Sequence, residues 1–210
     1  MNKKKDLLLH IACGLFTEYG VAEVSLRQIA AEAGISHSNL IYHFPSKNDL
    51  IIALHHQLME KAIALNQQVQ TASHPLEGLL QSTQIGFAIL YEYRFLMIDL
   101  PHILRDNKIL HNTFLDLEKL RAEMYSIEIQ KAVDQNLMRQ ELYQGEYTGL
   151  VERIKIFSDA WIASSAIYDS PENSNIIEKY VKLFMGFFYP YLTDKGRSVF
   201  DDDCFKIIKL

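Results

Sequence analysis

The most informative part of the chain is residues 25–47, whose sequence is SLRQIAAEAGISHSNLIYHFPSK. Ser25 and Gln28 have the spacing of a capping box, in which each side chain satisfies a free amide at the start of a helix. A helix is therefore predicted to begin at Leu26. Gly34 follows the apolar inner positions of that helix, and glycine adopts the left-handed conformation of a sharp turn without steric cost. The pattern thus predicts a short helix followed by a tight turn.

A second helix is predicted directly after the turn. Ser36 can cap its start, and Pro45 cannot continue it because proline lacks the amide hydrogen. Ala30, Gly34 and Leu40 then have the offsets of a helix-turn-helix, with a small residue at the helix contact, a glycine at the corner and an apolar docking residue. An ordinary helical hairpin with a solvated polar face is the alternative, because short motifs also occur by chance.

The second helix, about residues 36–44, is predicted to present hydrogen-bonding side chains to solvent. Such side chains match the base edges and phosphates of a DNA major groove. Residues at the front of such a helix lie deepest in the groove, so His37, Ser38 and Asn39 are the candidates for base contacts. The capping Ser36 lies beside them. The candidates for phosphate contacts are Ser25, Arg27, Gln28, Tyr42, His43 and Lys47.

Residues 8–50 resemble the N-terminal domain of TetR-family transcriptional regulators in both order and spacing. The matching residues are Leu8, Ala12, Leu15, Phe16, Gly20, Arg27, Ile29, Ala30, Gly34, Ile35, Ser36, Leu40, Tyr42, His43, Phe44, Ser46, Lys47 and Leu50. One position departs from the family, because Ile41 stands where an aromatic residue, often tyrosine, commonly reaches the DNA backbone. The contact of that aromatic residue with the DNA backbone is therefore in doubt, and Tyr42 and Lys47 become the stronger candidates for backbone contacts.

The resemblance implies an all-α protein with a three-helix helix-turn-helix DNA-binding domain, residues 1–48, and a helical effector-binding and dimerisation domain, residues 49–192. It implies a sequence-specific transcriptional regulator, a dimeric repressor that a small apolar ligand releases from DNA. The alternative is a DNA-binding structural or chromosome-organising protein without a small-molecule effector. Residues 193–210 form a C-terminal tail of unknown role, for which a packed segment is favoured over an acidic metal site.

The composition is that of a soluble globular protein, with 49% hydrophobic and 22% charged residues. Many helix-forming residues at helical spacing, without a credible strand, favour an all-α fold. The net charge is −5, but residues 1–50 carry five basic and five acidic side chains, so the acidic excess lies outside the helix-turn-helix. Lys3, Lys4 and Lys5 could grip phosphates or form a solubilising tail.

The N-terminal residues imitate a secretory signal, but Asp6 and His10 interrupt the apolar run. No stretch reaches the ~18 apolar residues of a membrane span. The chain is expected to be cytoplasmic, and the widely separated Cys13 and Cys204 suit a reducing compartment. The sequence contains no motif of a catalytic nucleophile, a phosphate loop, a dinucleotide site or a metal site. We therefore expect neither an enzyme nor a bound cofactor.

The remainder of the chain is predicted to be helical. Ser46 and Asp49 can cap a helix of about six turns that reaches Val69 and joins the helix-turn-helix to the body. Asn136 tolerates a left-handed helix stop, and Ser170 with Pro171 can start the last helix. The other helices are predicted at about Leu76 to Tyr91, near Pro101, Lys108 to Gln135, Tyr147 to Tyr168 and Glu172 to Tyr191.

The resemblance also implies that the last two helices pair with those of a second subunit, so the preferred DNA site would be a palindromic operator. The stripe on the first of these helices comprises Ile156, Phe157, Ala160, Ala163, Ser164 and Ile167. The stripe on the second comprises Ile177, Tyr180, Val181, Phe184, Met185 and Phe188. These stripes are wide enough to pack in the core of one subunit and also to contact a second subunit. Alternatively, they could lie wholly within the core of one subunit.

Members of this family usually hold a ligand in an apolar cavity of the body. The residues that could line such a cavity are Phe87, Tyr91, Phe95, Met97, His102, Phe114, Tyr125, Trp161 and Tyr168. Asp99 and His102 are the polar candidates because they lie three apart on an apolar segment. Plain core packing is the alternative for each residue that could line the cavity, since aromatic side chains at helical spacing usually form a core. For Asp99 and His102 the alternative is a satisfied buried pair or a solvated edge.

Overall fold

The computed structural model describes residues 3–68, 72–170 and 173–201, and the elements in these ranges are helical, which confirms the predicted all-α fold. The helices are α1 (Lys3–Tyr19), α2 (Leu26–Glu32), α3 (His37–His43), α4 (Lys47–Gln68), α5 (Pro75–Glu92), α6 (Arg94–Ile98), α7 (Leu100–Asp106), α8 (Lys108–Asp134), α9 (Glu146–Tyr168), α10 (Ile176–Gly186) and α11 (Asp194–Phe200). A 3-10 turn at Tyr189–Tyr191 follows α10. Among the helices so described, none combines the length and the apolar character that a bilayer crossing requires.

Side chains at the helix ends explain most of the boundaries. Ser46 and Asp49 cap α4, because the Ser46 amide donates to the Asp49 carboxylate at 2.8 Å and the Asp49 amide donates to Ser46 Oγ at 3.2 Å. Asn107 caps α8 by accepting from two amides of its first turn, each at 3.1 Å. Asn136 ends the same helix with a φ of 57°, as the sequence predicts.

The prediction for the last long helix is wrong at both ends. The helix α10 begins at Ile176, where Asn175 rather than Ser170 is the N-cap residue. Before it, the Asn175 amide donates to Asn173 Oδ1 at 3.0 Å, and this local bond competes with an earlier helix start. The helix ends at Gly186, and the 3-10 turn containing Pro190 replaces its expected last turn. Pro171 and Glu172 of the predicted start lie outside the described residues, as does Val69 at the predicted end of α4.

Two hydrophobic clusters organise the fold. The head cluster contains buried residues of α1 to α4 together with residues from the start of the body. Its members include Leu8, Phe16, Ile29, Leu40, Leu50, Leu54, Tyr93, Phe95, Leu96, Ile103 and Leu110. The body cluster is built mainly from α5 and from α8 to α11, with single residues from α6 and α7. Its members include Phe87, Met97, Ile129, Trp161, Tyr180, Phe184, Phe188 and Phe200. The helix-turn-helix therefore shares its core with the body.

The first part of the C-terminal tail is a packed structural element. Thr193 caps α11 by accepting from the Gly196 amide at 3.0 Å, and its hydroxyl donates to the carbonyl of Asn136 at 2.7 Å. Phe200, at the end of α11, is 1% exposed and belongs to the body cluster. The described part of the tail thus closes over the turn between α8 and α9, whereas residues 202–210 lie outside the described ranges.

Gly196 is the position at which this packing is most sensitive. A Cβ at Gly196 would lie 1.9 Å from the carbonyl oxygen of Leu137, which is backbone and cannot move aside. We expect Gly196→Ala to lower the free energy of unfolding by about 1–3 kcal/mol, as overpacked cores do. Chemical denaturation measures the change.

Gly186→Ala is the matched control, because a Cβ at Gly186 meets nothing within 4 Å and the residue is helical. This control is expected to be neutral or slightly stabilising, since alanine is the better helix former. Equal stabilities for the two variants would show that α11 does not pack against the Leu137 backbone.

Candidate nucleic-acid interface

The turn between α2 and α3 has the geometry that its sequence predicts. The Ser25 amide donates to Gln28 Oε1 at 2.8 Å, and the Gln28 amide donates to Ser25 Oγ at 3.3 Å, which completes the capping box. Gly34 has a φ of 65°, so a residue with a Cβ would be strained there. The amide of Ile35 donates to the carbonyl of Ala30 at 3.0 Å and closes the end of α2.

Apolar contacts under the turn hold α3 at a fixed angle to α2. Ile29 and Leu40 are fully buried and Ala30 is 2% exposed, so the two helices touch at a small residue and dock through apolar ones. Ser36 Oγ accepts from the Asn39 amide at 3.2 Å and fixes the first turn of α3. The front of α3 is therefore rigidly supported from behind by the head cluster.

The predicted base-contacting residues occupy the solvent side of this supported helix. Ser38 is exposed, and His37 and Asn39 are partly exposed. Tyr42 is 83% exposed and packs edge-on against the ring of His43, with a centroid separation of 5.2 Å. The outer face of α3 thus presents hydroxyl, amide, imidazole and phenol groups without an apolar cover.

Lys47 has a structural partner that sequence reasoning missed. Its ammonium group donates to the carbonyl oxygens of Val21 and Ala22 at 2.7 and 3.3 Å and so joins the start of α4 to the loop before α2. Two of its three N–H groups are used in this way, which leaves one for a phosphate. No local sequence signal indicates these contacts, because the partner atoms are backbone carbonyls about 25 residues away.

The other predicted phosphate contacts lie at the surface around α2 and α3. Ser25, Arg27 and Gln28 are exposed at the start of α2. A basic residue of α1 joins this surface, since Lys5 Nζ lies 5.8 Å from the centroid of the Phe44 ring at the end of α3. The first turn of α1 therefore brings at least one of the three N-terminal lysines beside the helix-turn-helix.

Two family patterns together match most of the sequence. The pattern described as bacterial regulatory proteins of the tetR family matches residues 8–54, and the pattern described as a bacterial transcriptional repressor, TetR, matches residues 55–200. The chain belongs to the TetR family. The first match covers α2 and α3, and the second covers most of the body.

Two known transcriptional regulators are similar to part of this chain. The HTH-type transcriptional regulator RutR of Escherichia coli (strain K12) is 30% identical over 93 residues, which cover 44% of each chain. The HTH-type transcriptional repressor KstR2 of Mycolicibacterium smegmatis is 32% identical over 77 residues, 36% of this chain and 38% of that protein. Each alignment spans less than half of the relative.

The fold of the whole chain is that of solved TetR regulators. A TetR-family transcriptional regulator from Marinobacter aquaeolei VT8 superposes with a TM-score of 0.83 at 19% identity, over 99% of this chain and 98% of that one. A TetR transcription regulator from Haloarcula marismortui gives a TM-score of 0.72 at 14% identity, over 92% and 100%. The predicted order of a helix-turn-helix followed by a helical body is confirmed.

A cavity of about 160 Å³ lies in the body of this TetR-family chain, between α4, α5, α6, α7, α8 and α9. Four of the predicted ligand residues, Phe87, Met97, Phe114 and Tyr125, lie on its wall. The wall is mainly apolar, and α8 supplies it with one long stripe of side chains. The structure thus provides a space of ligand size at the level where the body meets the head cluster.

The other five predicted ligand residues do not line this cavity. Trp161 stands behind Phe87, with ring centroids 4.9 Å apart, and Tyr91 stacks on Trp161 at 6.0 Å. Phe95 turns instead toward the head cluster, where it meets Phe16. His102 and Tyr168 lie at the surface. For these two the apolar setting in the sequence was misleading, because each lies on the outer face of its helix.

The expected pair of Asp99 and His102 does not form a site. His102 Nδ1 lies 2.5 Å from Arg105 Nη2, and its Nε2 lies 3.6 Å from an Asp106 carboxylate oxygen. The imidazole is more than half exposed, so this is a surface contact within α7. Asp99 itself ends α6 and immediately precedes α7.

Sequence reasoning missed a charged group on the cavity wall. The Arg121 guanidinium, through Nη2, donates to Glu118 Oε2 at 2.7 Å and to Asp159 Oδ1 at 2.8 Å. Burial raises the pKa of Glu118 to about 7, although Arg121 opposes the shift. A signal was available, because Phe114, Glu118, Arg121 and Tyr125 are spaced four, three and four apart, so the charged pair interrupts one aromatic stripe of a helix.

The raised pKa of Glu118 makes the stability of the fold depend on pH. The folded state holds a proton on Glu118 up to about pH 7, whereas the unfolded chain releases it near its ordinary pKa of 4.5. This proton therefore stabilises the fold below pH 4.5, and the stabilisation is lost as the pH rises to about 7.

Glutamine does not ionise, so Glu118→Gln should not lose this stabilisation as the pH rises. We expect the free energy of unfolding of the variant, relative to that of the wild-type chain, to increase by on the order of 2–3 kcal/mol between pH 4.5 and pH 8. Urea denaturation at several pH values measures the difference. The control is Glu123→Gln on the exposed side of the same helix, which should track the wild type. If the difference in stability between Glu118→Gln and the wild type did not change with pH, the pKa of the Glu118 carboxyl group would not be raised by folding.

Proposed function

We propose that this TetR-family chain is a homodimeric, sequence-specific DNA-binding repressor that a small, largely apolar ligand releases from a palindromic operator. The observation that carries the proposal is the exposed polar front of α3, which Leu40 and the Gly34 turn hold rigidly against α2. In this proposal residues 1–48 bind DNA, and residues 49–192 bind the effector and the second subunit. Such a regulator acts in the cytoplasm and catalyses no reaction.

The base-reading residues in this proposal are His37, Ser38 and Asn39. The backbone of Asn39 is fixed by Ser36 Oγ, so its side-chain amide is positioned by a capped helix end. An asparagine amide can bond adenine through two atoms in the major groove, which makes Asn39 the best candidate for specific readout. Ser38 and His37 precede it on the same exposed turn.

The phosphate-binding residues surround this reading surface. Arg27, Gln28 and Ser25 lie at the start of α2, and Tyr42 and His43 lie at the end of α3. Gln28 uses its carbonyl oxygen in the capping box, which leaves its amide hydrogens for a phosphate. We add Lys5 to this set and assign Lys47 two roles, as an anchor of the head and as a single phosphate contact.

The proposed dimer face is narrower than the two stripes in the sequence. Phe184 of α10 and Phe188, just after it, are fully buried in the body cluster and are not available to a partner. On α9, by contrast, Ile156 and Ile167 are 67% and 74% exposed, and Leu183 of α10 is 49% exposed. Exposed aliphatic side chains at this density on one face favour a self-complementary contact with a second copy.

The proposed release mechanism depends on α6. Phe95 and Leu96 of this five-residue helix belong to the head cluster, whereas Leu96 and Met97 line the cavity. The ring of Phe95 lies 5.4 Å from that of Phe16 on α1. A ligand that fills the cavity presses on α6, and α6 can then shift α1 and the attached helix-turn-helix because packed cores do not deform continuously.

Selection of bound duplexes from a random pool tests the proposed function. We expect the purified chain to enrich a palindromic sequence whose half-sites lie about one helical turn apart or somewhat more, ~34 Å or beyond, because two copies of α3 must enter successive major grooves. Binding to many unrelated sequences would favour a chromosome-organising role. Binding to no duplex over a scrambled competitor would exclude a DNA-binding regulator.

Asn39→Ala tests which residue reads the bases. We expect the variant to lose about 1–3 kcal/mol of binding free energy that depends on one base pair of each selected half-site. It should therefore accept other bases at that position. Fluorescence anisotropy with a panel of single-position operator variants measures the loss. Arg27→Ala is the matched comparison, because loss of a phosphate contact weakens all duplexes alike and lowers the salt dependence by roughly one ion. Unchanged base discrimination in Asn39→Ala would contradict the assignment.

Ile156→Glu tests the dimer face, since a charge at this exposed position costs the folded monomer little but opposes burial against a partner. Sedimentation velocity should show a dimer for the wild type and a monomer for the variant. Ile109→Glu is the control, because Ile109 is 72% exposed at the start of α8, away from the proposed face. A variant that remains dimeric would place the interface elsewhere.

A further inference from the structure

The wall of the body cavity carries buried polar atoms that lack partners. Glu118 is 7% exposed and His55 is 2% exposed, and both lie on the cavity wall. Within the part of the chain that the structure describes, Glu118 Oε1, His55 Nδ1 and Arg121 Nε have no hydrogen-bond partner. Buried polar atoms without partners are costly in a folded protein, so three of them in one cavity indicate a group that the ligand supplies.

The hydroxyl groups on the cavity wall can accept hydrogen bonds from a ligand but have no hydrogen left to donate. Ser82 and Thr83 of α5 spend their hydroxyl hydrogens on the carbonyl of Leu79, at 3.1 and 2.6 Å. Ser158 of α9 does the same with the carbonyl of Ile154 at 2.7 Å. The lone pairs of the Ser82 and Thr83 oxygens remain available on the cavity wall, whereas Ser158 also forms a hydrogen bond with Tyr125.

The charges show the same imbalance. Two carboxylates, Glu118 and Asp159, share one guanidinium group, and both accept from the same nitrogen of Arg121. A third wall carboxylate, Glu128, already has Lys131 at 2.7 Å. An anionic ligand would find a donor in Arg121 Nε but would meet two carboxylates beside it. Once Glu118 ionises, at about pH 7 and above, a cation is the better match because it adds the missing positive charge.

We propose that the effector of this chain is a small hydrophobic amine, whose protonated nitrogen binds Glu118 while its apolar part contacts Phe87, Met97 and Phe114. This inference rests on the proposed ligand-released repressor and specifies the effector. His55, which also lies on the wall, has an unpartnered Nδ1 that is available to a polar group of the ligand. The remaining wall is aliphatic and aromatic, which suits a hydrocarbon group.

The size of the cavity limits the apolar part. A volume of about 160 Å³ is close to that of an engineered apolar cavity of ~150 Å³ that admits benzene. A single aromatic ring with a short chain to the nitrogen therefore fits, whereas a multi-ring molecule would have to enlarge the cavity. Phe87 and Phe114 can pack against such a ring.

The amine should bind more tightly as the pH rises through neutrality. The groups around Glu118 are Arg121 and Tyr125 on α8 and Asp159 and Lys155 on α9. His55 on α4 also lies on the cavity wall. Burial lowers the pKa of His55, with a smaller contribution from His56, so the imidazole is neutral near pH 7. Burial raises the pKa of Glu118 to about 7, so its carboxylate, the form that attracts a cation, gains population between pH 6 and pH 8.

Three probes with one carbon skeleton test the proposal, namely 2-phenylethylamine, 2-phenylethanol and phenylacetate. Trp161 is the sole tryptophan of the sequence and stacks on Phe87 of the cavity wall, so its fluorescence reports binding to the full-length chain without DNA. At pH 8 we expect the amine to bind at least about tenfold more tightly than the alcohol and the acid, as a charge-assisted bond to a buried partner allows. Between pH 6 and pH 8 the affinity for the amine should rise up to about tenfold, and that for the alcohol should stay constant.

Two variants distinguish the contribution of the Glu118 carboxylate to binding from that of the apolar wall. Glu118→Gln should remove the preference for the amine and its pH dependence but keep the affinity for the alcohol, which also reports that the cavity is intact. Glu123→Gln, on the exposed side of α8, should behave like the wild type. Tighter binding of phenylacetate, equal binding of all three probes, or a preference that survives Glu118→Gln would overturn the proposal.

These measurements are independent of DNA and therefore separate the two proposals. An amine that binds at Glu118 in a chain without operator preference would support the ligand assignment and sink the repressor function. An operator-binding chain that ignores the amine would do the reverse. If both hold, the amine should weaken operator binding in the wild type but not in Glu118→Gln.

Discussion

The contact of Phe95 with Phe16 places a residue of the body inside the core of the head. The 17-residue α1 and the two seven-residue helices α2 and α3 cannot bury enough apolar surface to hold a rigid reading surface by themselves, and most helical stability comes from tertiary packing. Phe95, Leu96, Ile103 and Leu110 supply the missing surface. The orientation of α3 therefore depends on the helix that carries Phe95, and the proposed release of DNA by a ligand depends on that link.

The same helix borders the cavity, which gives the link its functional meaning. Leu96 faces both the head cluster and the cavity, and α4 does so as well, through Leu58. Two elements are thus shared between the reading surface and the ligand space. A ligand can shift the equilibrium only as far as its affinity differs between two arrangements of these elements. Two shared packing surfaces offer such a difference without a long chain of intermediates.

The charged group of Glu118, Arg121 and Asp159 stands in contrast to this apolar setting. A buried group with one excess carboxylate contributes little to stability, since removal of its charges from water costs about as much as their attraction returns. Its unpartnered Glu118 oxygen adds a further cost. Costs of this kind in an otherwise apolar cavity are typical of binding sites rather than of cores. The body thus carries a local instability where a ligand can relieve it.

Local rules predicted the parts of this fold that local chemistry determines. The Ser25 and Ser46 caps, the Gly34 turn and the Asn136 stop all follow from residues within one helical turn. The sequence pattern could not show that Phe95 belongs to the head or that Lys47 binds the carbonyl of Val21, because tertiary packing decides both. Nor did it separate the buried side of α10 from the exposed side of α9, since both helices carry wide apolar stripes.

The sharing of α6 between head and body is the central claim, and hydrogen exchange tests it without any ligand. Amide exchange followed by mass spectrometry would compare the free chain with the chain bound to its selected operator. We expect slower exchange in α3, at the DNA, and an altered rate in α6, which lies in the body, while α11 serves as an unaffected internal reference. A change confined to residues 25–47 would contradict the claim, because the head would then bind DNA without involving the body.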